Sequence, residues 1–292
     1  MTTASETRTV LKVSQMHPCF SGAAHNKYGR LHLPVSASCN IGCRFCRRAF
    51  NTDEDRPGVS AGILPPDGAV DTVRGALELC PEITVVGIAG PGDTLASDSA
   101  INAFRAVHRA YPELIMCMST NGLMLPDRAE ELVEVGVKSV TVTVNAVDPS
   151  VLEKIVAYIV CDGRKLTGRD MSVLTERQLE GIRRVSSLGA TVKVNTVLAP
   201  GVNDSHIGDI AAAVSLAGAH IYNIIPLIPQ HELAHIEPPD CGMLQSAREQ
   251  AAKHIDVFHH CKHCRADACG IPGVSDFSGK LYGGAMETVS LG

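Results

Sequence analysis

Cys39, Cys43 and Cys46 stand in the run Cys-Asn-Ile-Gly-Cys-Arg-Phe-Cys. The segment before them, residues 31–36, reads as a short strand, which places the three thiols in the loop directly after it. The C-x3-C-x2-C pattern, with an aromatic residue before its last cysteine, suits three irons of a [4Fe–4S] cluster and leaves the fourth iron open. An ordinary electron-transfer cluster has four thiolates and no vacancy. An open iron can chelate S-adenosylmethionine (SAM) and pass an electron into its sulfonium. Zinc ribbons use paired C-x2-C hooks instead. The triad therefore points to radical chemistry and to an enzyme.

The 292 residues suffice for one large α/β domain or two small ones, and no Ser/Pro/Gly-rich linker divides the chain. Residues 31–36 read as a short strand running into the cysteine loop, and 51–65 as a charged, Pro/Gly-punctuated loop. Helix and strand then alternate: helix 67–79, strand 82–88, helix 99–111, strand 114–119, helix 126–135 and strand 138–145. A longer helical region covers 149–159 and 174–188, followed by strand 191–198, helix 204–216 and strand 221–227. Pro126 falls at a helix start, and Gly136, Gly189 and Gly218 fall just past helix ends. Six strand–helix repeats predict an α/β fold with a parallel sheet, a partial (β/α)6 TIM-like barrel whose chemistry lies at the C-terminal strand ends. One helix and a Gly-rich tail are expected from Cys241 onward. The barrel would span 31–240, with 1–30 and 241–292 as N- and C-terminal extensions.

A net charge of −5 and a pI near 6.2 give no reason to expect a nucleic-acid partner. No apolar run approaches the ~18–20 residues of a membrane span, and residues 1–13 lack a signal-peptide core. A cytoplasmic location is expected, where the eleven cysteines bind metal or react rather than pair. Cys80, Cys161 and Cys241 sit in ordinary contexts and read as structural, while Cys269 stays ambiguous. His17-Pro-Cys19 and Cys261-x2-Cys264 flank the barrel as soft-ligand hooks for iron–sulfur clusters or zinc. Cys117 ends a strand just before a polar turn, so its sulfur is either a core thiol or a cavity group. His25 and His32 are further nitrogen candidates.

Gly90, Pro91, Gly92 and Asp93 follow the second strand and read either as a tight turn or as the edge that holds the amino group of SAM. Ser119, Thr120 and Asn121 follow the third strand, while Asn145 and Asn195 end the fourth and fifth. Short polar side chains there bind the methionine carboxylate or ribose, or else cap the next helices.

Several blocks together resemble the NifB family of nitrogenase cofactor-maturation enzymes. They are His-Pro-Cys-Phe-Ser-Gly (17–22), His-Asn-Lys-Tyr-Gly-Arg-Leu-His-Leu-Pro-Val (25–35), the triad (39–46), Arg-Pro-Gly-Val (56–59) and Gly-Ile-Ala-Gly-Pro-Gly-Asp (87–93). Ser-Thr-Asn-Gly (119–122), the runs at 141–149 and 194–204, and Cys-Lys-His-Cys-Arg-Ala-Asp-Ala (261–268) continue the series in family order. The chain looks like the short form, without the cluster-carrier domain that some homologues append. The resemblance implies a radical-SAM barrel with cluster-binding extensions that fuses two [4Fe–4S] substrate clusters and inserts a SAM-derived carbide and one extra sulfur. One SAM would donate a methyl group to a cluster sulfide. A second would be cleaved to a 5′-deoxyadenosyl radical that removes hydrogen from that methyl. Cys39, Cys43 and Cys46 would ligate the SAM cluster. Cys19, Cys261 and Cys264 would hold one substrate cluster, with Cys117 and His17 or His25 contributing to the other. Implied partners are a cofactor scaffold or carrier protein and an electron donor such as ferredoxin or flavodoxin.

One departure stands out. Family members carry a further cysteine between the triad and Arg-Pro-Gly-Val, where this chain has Phe-Asn-Thr-Asp-Glu-Asp (50–55). Either Asp53, Glu54 or Asp55 substitutes as an oxygen ligand, or one substrate cluster has fewer protein ligands, or activity is lost. Two other functions compete. One is a radical-SAM enzyme acting on a peptide or small molecule with an auxiliary cluster, and the other is a non-enzymatic iron–sulfur scaffold.

Overall fold

The computed structural model describes residues 13, 15–283, 286–289 and 291. Residues 1–12 and 14 of the expected N-terminal extension lie outside the described residues. In chain order the strands are β1 (Gly29–His32), β2 (Ile41–Cys43), β3 (Ala49–Phe50), β4 (Val59–Ser60), β5 (Ile83–Ile88), β6 (Ile115–Thr120) and β7 (Val137–Thr143). They continue as β8 (Val156–Cys161), β9 (Arg164–Leu166), β10 (Thr191–Leu198), β11 (Ile221–Pro226), β12 (Val257–Phe258) and β13 (Cys269–Gly270). Eight form one sheet, ordered β12-β11-β10-β7-β6-β5-β1-β13. All neighbours are parallel except the antiparallel β1–β13 pair. Six strands of this sheet are those the sequence predicts, and the sheet stays open at β12 and β13, giving a partial barrel.

The period-2 alternation of side chains divides this sheet into two unlike faces. Val192, Val194 and Leu198 of β10, Val140 and Val142 of β7, and Val86 and Ile88 of β5 enter the main core. There they meet the apolar faces of the outer helices, such as Ile101, Phe104 and Val107 of helix Ser99–Ala110. Their neighbours Lys193, Asn195, Thr141, Thr143 and Gly87 line a cavity on the concave face. Parallel strands buried on both faces would read as continuous apolar runs. The Val/Thr alternation of β7 marks a sheet with a polar inner wall.

The strand expected at 31–36 ends earlier, at His32. Leu33 still donates to the Gly87 carbonyl at 2.8 Å, but Pro34 has no N–H to continue the ladder. A larger departure lies at 149–159. Helix Pro149–Ile155 stops short, and β8 with β9 forms a hairpin closed by Asp162 (φ 49°) and Gly163 (φ 72°). Positive φ at both turn residues is the two-residue turn that Asp-Gly favours. β8 then pairs antiparallel with β2, the middle of the cysteine loop. Beneath them Ile159, Val156, Leu152, Ile155 and Leu174 form a separate apolar cluster against which Ile41 and Phe45 pack.

Both terminal segments pack on the barrel. Val13 and Phe20 form a small cluster with Val85 and Ile115, which Cys19 and Cys117 adjoin. The tail is more than a Gly-rich coil, because β13 pairs with β1 and Cys269 lies in the main core. No helix among the described residues is long and apolar enough to cross a membrane.

Because Ile159 is fully buried in the cluster under the cysteine loop, Ile159→Ala should cost about 2–5 kcal/mol. The loss should be local. Hydrogen exchange should speed up across residues 39–46 while amides of β6 and β7 keep their protection; uniform loss of protection would refute this separation.

Candidate active site

The concave face encloses a cavity of about 350 Å³. The triad enters it from β2 and the residues on either side, and Cys39, Cys43 and Cys46 all line it. Burial pushes the Cys39 thiol up to about 11, helped by the Asp93 charge, while the Ile41 N–H bonded to its sulfur pulls the other way. Burial also raises Cys43, which Cys46 and Cys39 push further. Cys46 is raised by burial against the pull of Arg48 and Arg56. Desolvated thiols that disfavour each other's ionisation suit a cationic core that would take up their charge. Among the described residues, no three His, Cys, Asp or Glu side chains clasp a single ion. Thiolates that each bind a different iron of a cluster stand further apart.

Backbone contacts fix the loop. Gly92 N–H donates to the Ser36 carbonyl at 2.7 Å and Asp93 N–H to that of Ser38 at 2.8 Å. The Asn121 amide donates to Asn40 Oδ1 at 2.6 Å, and Arg48 to the Ala37 carbonyl at 2.8 Å. A Cβ on Gly92 would lie 2.0 Å from the Ser38 carbonyl oxygen, so only glycine allows this approach.

The expected SAM-binding residues divide into two groups. Pro91, Gly92, Ser119 and Asn195 line the cavity, whereas Gly90 does not and faces Ala266 instead. Asp93, Thr120 and Asn121 also line it, yet their polar atoms are largely spent on one another. The Asp93 carboxylate accepts from Thr120 Oγ1 at 3.0 Å, Asn121 N–H at 2.6 Å and Leu95 N–H at 2.9 Å. Burial raises its carboxyl against these three donors. Asn145 Oδ1 accepts from Val197 N–H at 2.9 Å, and its carbonyl from Asn203, so it ties β7 to β10 rather than capping a helix. Gln178, missed in the sequence, is buried in the same wall. Its amide donates to the carbonyls of Asn121 and Thr143, and its Oε1 has no partner. Its sign was an amide in the middle of a helix that otherwise buries Leu174, Ile182 and Val185.

Cys19, Cys117, Cys261 and Cys264 line the same cavity as the triad. Burial pushes Cys19 up to about 12, with Lys193 opposing and Cys264 and Cys117 adding to it. Burial raises Cys117 as well. Cys80, Cys161 and Cys269 are buried away from the cavity, and Cys241 is exposed at the start of a helix.

Hydrogen bonds separate the histidines. His17 Nδ1 accepts from Cys19 N–H at 3.1 Å, so its neutral ring carries hydrogen on Nε2. His25 Nδ1 meets the Pro18 carbonyl and His32 Nδ1 the Arg265 carbonyl, each at 2.9 Å. A carbonyl only accepts, so these two rings place a lone pair on Nε2. All three stay neutral, since burial lowers their pKa, that of His32 to about 4. Register puts His32, Gly87 and Cys117 in one row across β1, β5 and β6. Gly87 has no side chain, which leaves His32 and Cys117 facing across the gap.

The 50–55 loop does not reach the site. Thr52, Asp53, Glu54 and Asp55 are exposed and none lines the cavity. Glu54 pairs with Arg56 at 2.6 Å, while Arg265 of the tail donates to the Asn51 and Glu54 carbonyls. Of the three alternatives for this loop, the placement speaks against an oxygen ligand from Asp53, Glu54 or Asp55.

A partial (β/α)6 sheet with a three-cysteine loop after its first strand defines a radical-SAM enzyme, and residues 33–214 match the Radical SAM superfamily. Solved structures share the fold: a radical SAM methyltransferase from Sphaerobacter thermophilus has a TM-score of 0.53 at 19% identity, covering 79% of this chain and 64% of that one. Methylornithine synthase has a TM-score of 0.53 at 13% identity, covering 88% and 72%. The FeMo cofactor biosynthesis protein NifB of Methanocaldococcus infernus is 42% identical over 87% of this chain and 85% of its own length. That of Klebsiella pneumoniae is 41% identical over 88% of this chain and 57% of its own length. The chain belongs to the NifB family.

Gly92→Ala should cost about 1–3 kcal/mol by overpacking and displace the triad loop. The SAM-induced change in the cluster's EPR spectrum should vanish while far-UV circular dichroism is kept; an unchanged EPR response would refute the close-approach argument. A second expectation concerns pH. The folded-state pKa of Cys39 lies at about 11, above the ordinary value of about 8.5. Its stabilising contribution is therefore complete below about pH 8.5 and lost as pH rises through about 11. The melting temperature of the metal-free protein should fall over that window, and fall less in Cys39→Ser.

Proposed function

We propose that this enzyme assembles the iron–sulfur precursor of the nitrogenase cofactor, fusing two [4Fe–4S] substrate clusters around a SAM-derived carbon and adding one sulfur. One observation carries the reading: four further free cysteines share a single cavity with the triad. Two iron–sulfur substrates in reach of one methyl carbon is what fusion requires.

In this reading Cys39, Cys43 and Cys46 hold the resident cluster, with Pro91, Gly92, Ser119 and Asn195 around the SAM. Asp93, Thr120, Asn121 and Asn145 position those groups. Bound there, the cluster and SAM supply both the methyl carbon and the radical that strips its hydrogens. Cys19 with Cys261 and Cys264, carried by the two terminal segments, holds one substrate cluster. Cys117 and His32 hold the other across Gly87, and His25 offers a second nitrogen. His17 donates Nε2–H to bound sulfide rather than ligating iron. With no thiol at 50–55, the second substrate cluster has fewer protein ligands, which eases its release into the product. The product would pass to a scaffold or carrier protein, and a small redox protein such as ferredoxin or flavodoxin would supply electrons.

The test is anaerobic reconstitution with iron and sulfide, then turnover with a reductant and SAM radiolabelled in its methyl group. 5′-Deoxyadenosine, S-adenosylhomocysteine and label in an extractable iron cluster are all expected, and Cys117→Ser should retain about tenfold less of that label while still cleaving SAM. Deoxyadenosine without cluster label would identify a radical-SAM enzyme with an auxiliary cluster and another substrate. No SAM cleavage at all would leave only a scaffold.

A further inference from the structure

Lys193 is an inward-facing residue of β10, between Val192 and Val194, which enter the core. It is only 4% exposed. Its ammonium donates to the Cys19 carbonyl at 3.1 Å and lies over the rings of Phe20 and Phe258, 4.9 and 5.6 Å from their centroids. An ammonium has three donors, and one is used. On β1, Arg30 is also buried and donates to the Gly270 carbonyl at 2.7 Å and to Cys264 Sγ at 3.4 Å, while its Nε has no partner. Among the described residues neither cation forms an ion pair with a carboxylate.

Buried cations without a counter-ion are costly and are ordinarily paired. Around these two the imbalance is wider. Arg30, Arg47, Arg48, Lys193 and Lys262 line the cavity together with Arg56, whose charge Glu54 pairs, and among the described residues Asp93 is the one carboxylate that lines it, already bonded to Thr120, Asn121 and Leu95. The whole chain nevertheless carries a net charge of −5. Positive charge has been concentrated where an anion belongs. Cys19, Cys117, His17 and His32 all feel the Lys193 charge, so this cation sits among the cargo ligands rather than beside the triad.

We propose that Lys193 is a positioning residue for the cargo: its ammonium, held at the Cys19 carbonyl in the cavity that Cys117 also lines, binds the sulfides of the anionic iron–sulfur substrate, and Arg30 assists from β1. The proposal rests on the cargo reading above. A sulfide-ligated iron cluster held by thiolates is an anion rich in hydrogen-bond acceptors. Lys193 meets it with two unused donors, and Arg30 neutralises the Cys264 thiolate. Charge-assisted bonds of this kind strengthen retention and favour the reduced cluster, because an added electron is closer to a fixed positive charge.

The test uses the full chain carrying Cys39→Ala, Cys43→Ala and Cys46→Ala, so that iron and sulfide load only the cargo sites. After anaerobic reconstitution and desalting, Lys193→Met should retain about tenfold less iron than its parent, and its remaining clusters should reduce at a more negative potential. Its metal-free melting temperature should be unchanged or higher, because an uncompensated buried charge has been removed. Lys193→Gln keeps a donor for the Cys19 carbonyl and loses only the charge, so it decides the matter if the Met variant misfolds. Equal retention with an unchanged potential overturns the proposal. So does a retention loss matched by a fall in metal-free stability in both variants, which would make Lys193 a structural pin. A parent that retains no iron overturns the cargo reading itself, whatever residue 193 does.

Discussion

One buried carboxylate joins the three loops on which the site depends. Asp93 accepts N–H groups from Leu95 and Asn121 and the hydroxyl of Thr120. It thereby ties the turn after β5 to the turn after β6. Asn121 extends the link to Asn40 in the cysteine loop, and the backbone of Gly92 and Asp93 reaches Ser36 and Ser38. A buried charge is tolerated only where hydrogen bonds replace its hydration. The same bonds that make Asp93 tolerable make the loops rigid, so the triad is presented in one geometry to whatever lies over Pro91 and Gly92.

The second organising feature is the asymmetry of the sheet. Helices cover an apolar convex face, while the concave face carries arginine, lysine, histidine, cysteine, threonine and asparagine. The terminal segments complete that face instead of forming separate units. Phe20 plugs the barrel floor beside Val85 and Ile115, and Arg265 and Asp267 of the tail bind residues 51–61 and close the opposite rim. Cysteines distant in sequence thus share one desolvated space, whose burial suppresses ionisation of the free thiols.

Much of this was legible in the residues. The triad, the six repeats and the Gly-Pro-Gly-Asp turn have local signatures, set by ligand spacing, side-chain periodicity and turn chemistry. The β8–β9 hairpin was not read: Val-Ala-Tyr-Ile-Val-Cys followed by Asp-Gly carries its signature, but the helix pattern before it ran the prediction on to 159. Harder cases were those where identity and role part company. Asp93, Thr120, Asn121 and Asn145 look like ligand-binding residues, yet their partners turn out to be protein. Lys193 looks like the polar residue of an ordinary alternating strand, and only the closure of Phe20 and Phe258 over it makes it a buried cation.

By itself the sequence determined the class of chemistry and the fold, because three thiolates at this spacing and six β/α repeats are short-range patterns that few structures satisfy. The tertiary structure alone decided which groups meet. Strand register set His32 opposite Cys117 across Gly87. Backbone carbonyls chose the ring tautomers of His25 and His32, and chain path left Asp53, Glu54 and Asp55 outside the cavity. Those outcomes depend on contacts between residues far apart in the chain, such as Arg30 with Gly270, 240 positions away, and no local pattern encodes a distance that only folding closes.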